Sequence, residues 1–216
     1  VNIERKSQQV HVYGRSGFGK TSYAERFLLG SHFDRIFIYD HQSEFWHRLG
    51  VTPITDMEDL RERVCKERIL CFDYSFAYYG ELEERFDEFC DEVFDICKGS
   101  LEPQGVESIF VCDELQKVVG PHNCPKPLKN IVQTGRKFAI DSLFIGQQPN
   151  EIHNTVRNQA TEFILFAQKD ENALKFAEMN GFDTDEVRQL QPLHYVWQNM
   201  NTSEFRRGSI DYPTKR

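Results

Sequence analysis

Gly14-Arg15-Ser16-Gly17-Phe18-Gly19-Lys20-Thr21 is the stretch on which the fold reading turns. It meets the pattern G-x-x-x-x-G-K-[ST] at every fixed position and stands in the context that pattern requires. Before it comes the β-prone run Val10-His11-Val12-Tyr13, and after it residues 20–29 place Ala24, Phe27 and Leu28 on one helical face and stop at Gly30. Glycines at 14, 17 and 19 let backbone N–H groups turn toward an anion with no Cβ in the way. The following helix N-terminus adds its partial positive charge. Lys20 can reach the outer phosphates of a nucleoside triphosphate, and the Thr21 hydroxyl is placed to ligate a divalent cation. The expected ligand is ATP with Mg²⁺, bound by residues 14–21.

Outward from this loop, strand patterns fall at residues 35–39, 68–73, 108–112, 142–146 and 162–166, with further strands near 194–197 and 205–210. Between them, helical patterns cover residues 81–96, 128–138, 152–157 and 172–179. Alternation of this kind predicts an α/β fold with a mainly parallel sheet covered by helices on both faces. No repeat or low-complexity tract divides the chain. Residues 1–216 are therefore expected to form one domain, with a core over about 9–180 and a strand-rich extension over about 190–212. In residues 81–96, Leu82, Phe86, Phe89, Val93 and Ile96 make an apolar stripe, and eight acidic residues fill much of the rest. That pattern predicts an amphipathic helix on the outside of the sheet, remote from any nucleic acid.

Asp113 and Glu114 follow the apolar run 108–112, so both are expected at the carboxyl end of a central strand, beside the phosphate loop. Asp113 is placed to hold Mg²⁺ through water, and Glu114 to orient and deprotonate an attacking water. Gln147 and Gln148 end another strand on the same crevice, and Gln147 is the better placed to sense the γ-phosphate. Asp40 also ends a strand there, as a structural or a functional residue. His41 and His47 have no partners at metal-ligand spacing and are expected to be surface or satisfied core histidines. Arg136 is the first candidate, and Arg157 the second, for an arginine that reaches a neighbouring subunit's site in a ring.

These residues carry a likeness. The phosphate loop, Asp40, Val111-Cys112-Asp113-Glu114, Gly135-Arg136 and the run from Ile140 to Pro149 together resemble the FtsK/HerA superfamily of DNA-pumping P-loop ATPases. The short stretch before the phosphate loop makes the chain most similar to the genome-packaging ATPases of tailless icosahedral viruses with an internal membrane. The resemblance spans His11 to about Phe166. It implies a RecA-like (ASCE) core with sheet order 5-1-4-3-2, a homo-hexameric ring and double-stranded DNA as the moved partner. It also implies a capsid or membrane-vertex protein as a possible further partner, in the host cytoplasm or the virion. By motif it assigns Lys20 and Thr21 to phosphate and metal, Asp113 to magnesium, Glu114 to water, Gln147 to sensing and Arg136 to action in trans. The chain departs from the pattern at Gly146, where Thr or Ser is often found, at Gln148, where Arg is common, and in lacking a large amino-terminal domain.

The net charge of −8 excludes a wholly basic shell for wrapping nucleic acid. Yet from Leu115 to Ile140 there is no acidic residue. Lys117, His122, Lys126 and Lys129 in this segment are candidate contacts to DNA phosphates, with a pore loop expected over residues 118–126. The carboxy-terminal Arg206-Arg207 and Lys215-Arg216 pairs are weaker candidates. The six cysteines lack zinc-site spacing and are expected to be free thiols. No signal peptide and no run of 18 apolar residues is present, so the expectation is a protein neither secreted nor integral to a membrane. Other classes stay open: a ring ATPase of conjugation, segregation or secretion acting through a partner protein, or a monomeric nucleotide switch or small-molecule kinase. Against the last stand the missing arginine-rich lid and, for a GTPase, the missing Asn-Lys-x-Asp.

Overall fold

The computed structural model describes residues 8–73, 82–100 and 106–211. Their strands are β1 Gln9–Tyr13, β2 Arg35–Asp40, β3 Ile69–Asp73, β4 Ser108–Cys112, β5 Ile140–Gly146, β6 Glu162–Leu165, β7 His194–Asn199 and β8 Glu204–Ser209. All eight join one sheet in the order β3-β2-β4-β5-β1-β6-β7-β8. The pairings from β3 to β6 are parallel, whereas β7 and β8 are antiparallel. With β3 set aside as an added edge strand, the remaining five parallel strands run 5-1-4-3-2, the order expected of a RecA-like P-loop NTPase.

The helices are α1 Lys20–Gly30, α2 Phe45–Leu49, α3 Met57–Arg63, α4 Leu82–Asp95, α5 Lys126–Thr134, α6 Asn154–Arg157, α7 Glu171–Met179 and α8 Thr184–Gln189. A central parallel strand buries both faces, and successive side chains go to opposite sides. In β2, Phe37 and Tyr39 join one core with Phe72, Phe86, Phe89, Phe110 and Phe144, whereas Ile36 and Ile38 join a second with Ala24, Leu28, Val111, Ile145 and Phe166. The first core contains aromatic contacts such as Tyr39 on Phe72 and Phe86 edge-on to Tyr39. His11 is also buried on that side, bonded through Nδ1 to the Tyr13 hydroxyl at 2.9 Å. Burial holds its pKa down at about 3, so it packs as a neutral ring.

α4 buries Phe86, Phe89, Cys90 and Val93 as its stripe predicted. The expected start at Glu81 lies outside the described residues, and a π-turn over Ile96–Ser100 follows the helix. The helix expected over residues 128–138 is corrected: α5 begins two residues earlier and ends at Thr134, and a 3-10 turn Gly135–Phe138 tightens the exit. Pro127 accounts for the early start, because a proline in the first turn loses no helical hydrogen bond. The cysteines are free, with Cys71, Cys90, Cys112 and Cys124 buried. Among the described residues no His, Cys, Asp or Glu cluster is arranged to hold a metal ion on its own, and no helix is long and apolar enough to cross a membrane.

Candidate active site

The chain runs from β1 past β5 and β4 to β2, and later returns to place β6 on the other side of β1. The carboxyl end of β1 is thus the point where strand order reverses, and ligands of open parallel sheets bind in the crevice there. A cleft of about 470 Å³ opens at this point, lined by Ser16, Gly17, Gly19, Lys20, Thr21, Asp113 and Glu114, with Gln42, Glu44, Arg48, Pro192 and Leu193 at its margins.

Gly19 sits at the α1 N-cap with φ 107°, a conformation that side chains rarely adopt. α1 has no side-chain cap and no acidic residue in its first turn, so its leading N–H groups are left to an anion. Gly14 is required for a different reason: a Cβ there would lie 2.5 Å from the Cβ of Phe166, just past the ends of β1 and β6. Gly14→Ala is expected to destabilise the protein by about 1–3 kcal/mol through overpacking and to weaken triphosphate binding, measured by urea unfolding and nucleotide titration. Lys20 is 9% exposed and donates from Nζ to the Arg15 carbonyl at 3.2 Å, while the Arg15 guanidinium lies over the Phe18 ring. Burial lowers the Lys20 pKa, and Asp113, Glu114 and Glu44 oppose that shift.

Asp113 is 5% exposed. Desolvation raises its pKa to about 7, against the Glu114 N–H bonded to Oδ1 at 2.8 Å and the Lys20 charge. Its other oxygen makes no hydrogen bond among the described residues. A buried carboxylate with one open oxygen, near a threonine hydroxyl at the head of α1, is the donor set a hydrated magnesium ion would use.

Glu114 follows in a left-handed turn, φ 44° and ψ 51°, that aims its side chain into the cleft. Its Oε1 accepts from Gln147 Nε2 at 3.1 Å, and its Oε2 lies 3.6 Å from His41 Nε2. The Gln147 carbonyl in turn accepts from the buried Gln168 Nε2 at 3.1 Å. Gln147 thus stands beside Glu114 as its strand position suggested. His41, expected to be a surface or satisfied core histidine, is largely buried, and the turn after β2 brings it beside the Glu114 carboxylate. Burial lowers its pKa, Glu114 and Asp40 raise it, and Lys117 lowers it again. His47 stacks on Trp46 instead.

Asp40 is fully buried and accepts from the backbone N–H of Glu44, Phe45 and Trp46, the last two through the same oxygen. Its observed contacts are structural. Gly146 also sits in a tight place: a Cβ would approach the side chains of Gln116, Ile152 and Tyr13 at 3.1–3.3 Å, so a larger residue would have to push them aside.

The two arginine candidates differ. Arg157 donates to the Pro149 carbonyl at 3.0 Å, contacts Asn154 and lies over the Phe176 ring. Arg136 is exposed, with no hydrogen bond or ion pair among the described residues. It precedes β5, whose seven residues span roughly 20 Å at about 3.3 Å per residue before reaching the cleft. Arg136 therefore lies too far away to reach the cleft of its own chain. Lys117, His122 and Lys126 are exposed and Lys129 half-buried. In the expected pore loop Val118, Val119 and Cys124 are buried, so only the tip around residues 121–123 projects. Lys126 belongs to the first turn of α5 instead of the loop. Arg207 pairs with Glu186, and Lys215-Arg216 lies outside the described residues.

No protein-family model matches the sequence, and no curated protein sequence matches it. Solved structures do match in fold. The DNA-packaging ATPase B204 of Sulfolobus turreted icosahedral virus superposes with a TM-score of 0.73 at 15% identity, over 94% of this chain and 98% of that one. The genome packaging NTPase B204 of Sulfolobus turreted icosahedral virus 2, in complex with AMPPCP, gives 0.71 at 17% identity, over 93% and 96%. VirB4 of Thermoanaerobacter pseudethanolicus gives 0.65 at 11% identity, over 99% and 93%. The chain has the RecA-like P-loop NTPase fold that these proteins share.

Proposed function

We propose that this protein is an ATP-hydrolysing motor that translocates double-stranded DNA, packaging a viral genome into a preformed capsid. The observation that carries the hydrolytic part is the meeting of Lys20, Asp113 and Glu114 in one cleft at the end of β1. The phosphate loop and the α1 N-terminus bind the triphosphate, Lys20 leaving the Arg15 carbonyl for it. Thr21 and Asp113 would hold Mg²⁺, which when bound neutralises phosphate charge. Glu114, kept in place by Gln147, accepts a proton from the attacking water. Arg136 supports a ring, since it is exposed and remote from its own cleft, and in a head-to-tail assembly it can reach the next subunit's phosphates.

The moved substrate is read as duplex DNA because Lys117, His122, Lys126, Lys129, Arg136 and Lys137 form an acid-free segment in a chain of net charge −8. Contacts from such a segment grip phosphates without reading sequence. The test is ATP turnover with and without duplex DNA, paired with the mass of the assembly in the same buffer. A multimer stimulated severalfold by DNA is expected, with stimulation falling steeply between 50 and 200 mM salt. Turnover in an assembled ring that ignores DNA would instead favour a ring ATPase acting through a partner protein. A monomer that phosphorylates a small acceptor would overturn both.

A further inference from the structure

Glu114 is hydrogen-bonded on one side and closely flanked on the other by groups that are themselves held. On one side is Gln147 at 3.1 Å, its carbonyl fixed by Gln168. On the other is His41, 3.6 Å from Oε2, with its side chain only 12% exposed. The turn that carries His41 is pinned at both ends. Asp40 before it takes the amides of residues 44–46, and Ser43 donates from its hydroxyl to Asp73 at 3.0 Å. Asp73 in turn accepts from Trp46 Nε1 at 2.6 Å. A histidine on so constrained a turn has little freedom to leave the carboxylate.

We propose that His41 is a positioning residue for Glu114, fixing the plane of its carboxylate so that one edge faces the attacking water. Gln147 alone would restrain one oxygen and leave the group free to rotate about that contact. With the His41 ring beside the second oxygen, that rotation is restricted. At 3.6 Å the ring stands just outside hydrogen-bond reach, so a shift of a few tenths of an ångström brings Nε2 onto the oxygen. Orientation of a base relative to water is needed at the reacting step and contributes little to holding nucleotide. The role therefore acts on kcat more than on KM.

The inference rests on the reading of Glu114 as the base in ATP hydrolysis. In the assembled protein, His41→Ala should lower kcat about tenfold and leave the KM for ATP within about twofold. His41→Gln, which returns a donor at similar reach, should recover at least about a third of the rate. In a Glu114→Gln background His41→Ala should change nothing further. An unchanged kcat in an active protein would overturn the inference, as would a loss that His41→Gln does not relieve or one repeated in full in the Glu114→Gln background. If the assembled wild type does not hydrolyse ATP, the hydrolytic reading fails first. The contact is then judged by melting temperatures of His41→Ala, Glu114→Ala and the double variant without nucleotide. Non-additive shifts support it, and additive ones reject it.

Discussion

Glu114→Gln is expected to lower ATP turnover by roughly 10²–10⁴-fold while nucleotide affinity stays within about twofold. The amide keeps the size of the carboxylate and can still accept from Gln147 Nε2, so the neighbourhood changes little. What it loses is the ability to take a proton from water. Nucleotide is held by the phosphate loop and Lys20, which this substitution does not touch. Steady-state turnover together with titration of a non-hydrolysable analogue separates the two quantities. A variant that still turns over at more than about a tenth of the wild-type rate would remove Glu114 from the role of base and with it the clamp inferred for His41.

Asp113→Asn should have two effects of opposite sign. Turnover should fall by roughly 10²–10³-fold, because the carboxylate is the anionic group proposed to hold the metal. The nucleotide-free protein, however, should become more stable at alkaline pH. Burial raises the Asp113 pKa from 3.8 to about 7. The folded state therefore binds this proton more tightly than the unfolded chain does. Its stabilising contribution is complete below about pH 4 and is lost as pH rises through 7. The full rise corresponds to on the order of 4 kcal/mol, an upper bound for what the neutral amide recovers. With chelator present, Asn at 113 should raise the melting temperature by about 5–10 °C at pH 8 and by almost nothing at pH 4. An equal gain at both values would mean that packing, not charge burial, is responsible.

Much of the scaffold was legible because its signals are local. An eight-residue loop with three glycines leaves few alternatives, and the runs at 36–39, 109–112 and 143–145 are apolar throughout, as strands buried on both faces must be. Asp113 and Glu114 could be placed from the end of one such run. The short helices α2, α3 and α8 were missed, since five to seven residues span at most two turns and give no clear periodicity. The partner of His41 was not legible for another reason. Local spacing carries no sign of a neighbour that is one carboxylate 73 positions away, brought near by the pairing of β2 with β4. Gln168 and the crowding around Gly146 are likewise products of the assembled sheet. Asp56 and Asp183 carried a usable hint for α3 and α8, since an Asp just before a short helix is a common cap and both accept from first-turn amides here.

The contact between the phosphate loop and the far end of the chain bears on how the protein is made. Leu193, itself at φ 67°, donates its N–H to the Phe18 carbonyl at 2.9 Å, and its side chain closes over Gly19. Its own carbonyl is taken by the Ile210 N–H at 2.8 Å. The loop is therefore braced by residues synthesised long after it. A ribosome-bound chain that has released everything through α8 carries the glycines, Lys20 and Asp113, yet lacks the segment that holds them in register. Triphosphate binding by stalled chains of increasing length should rise sharply only once residues 193–210 have emerged, so the loop completes its shape only after that later segment has left the ribosome.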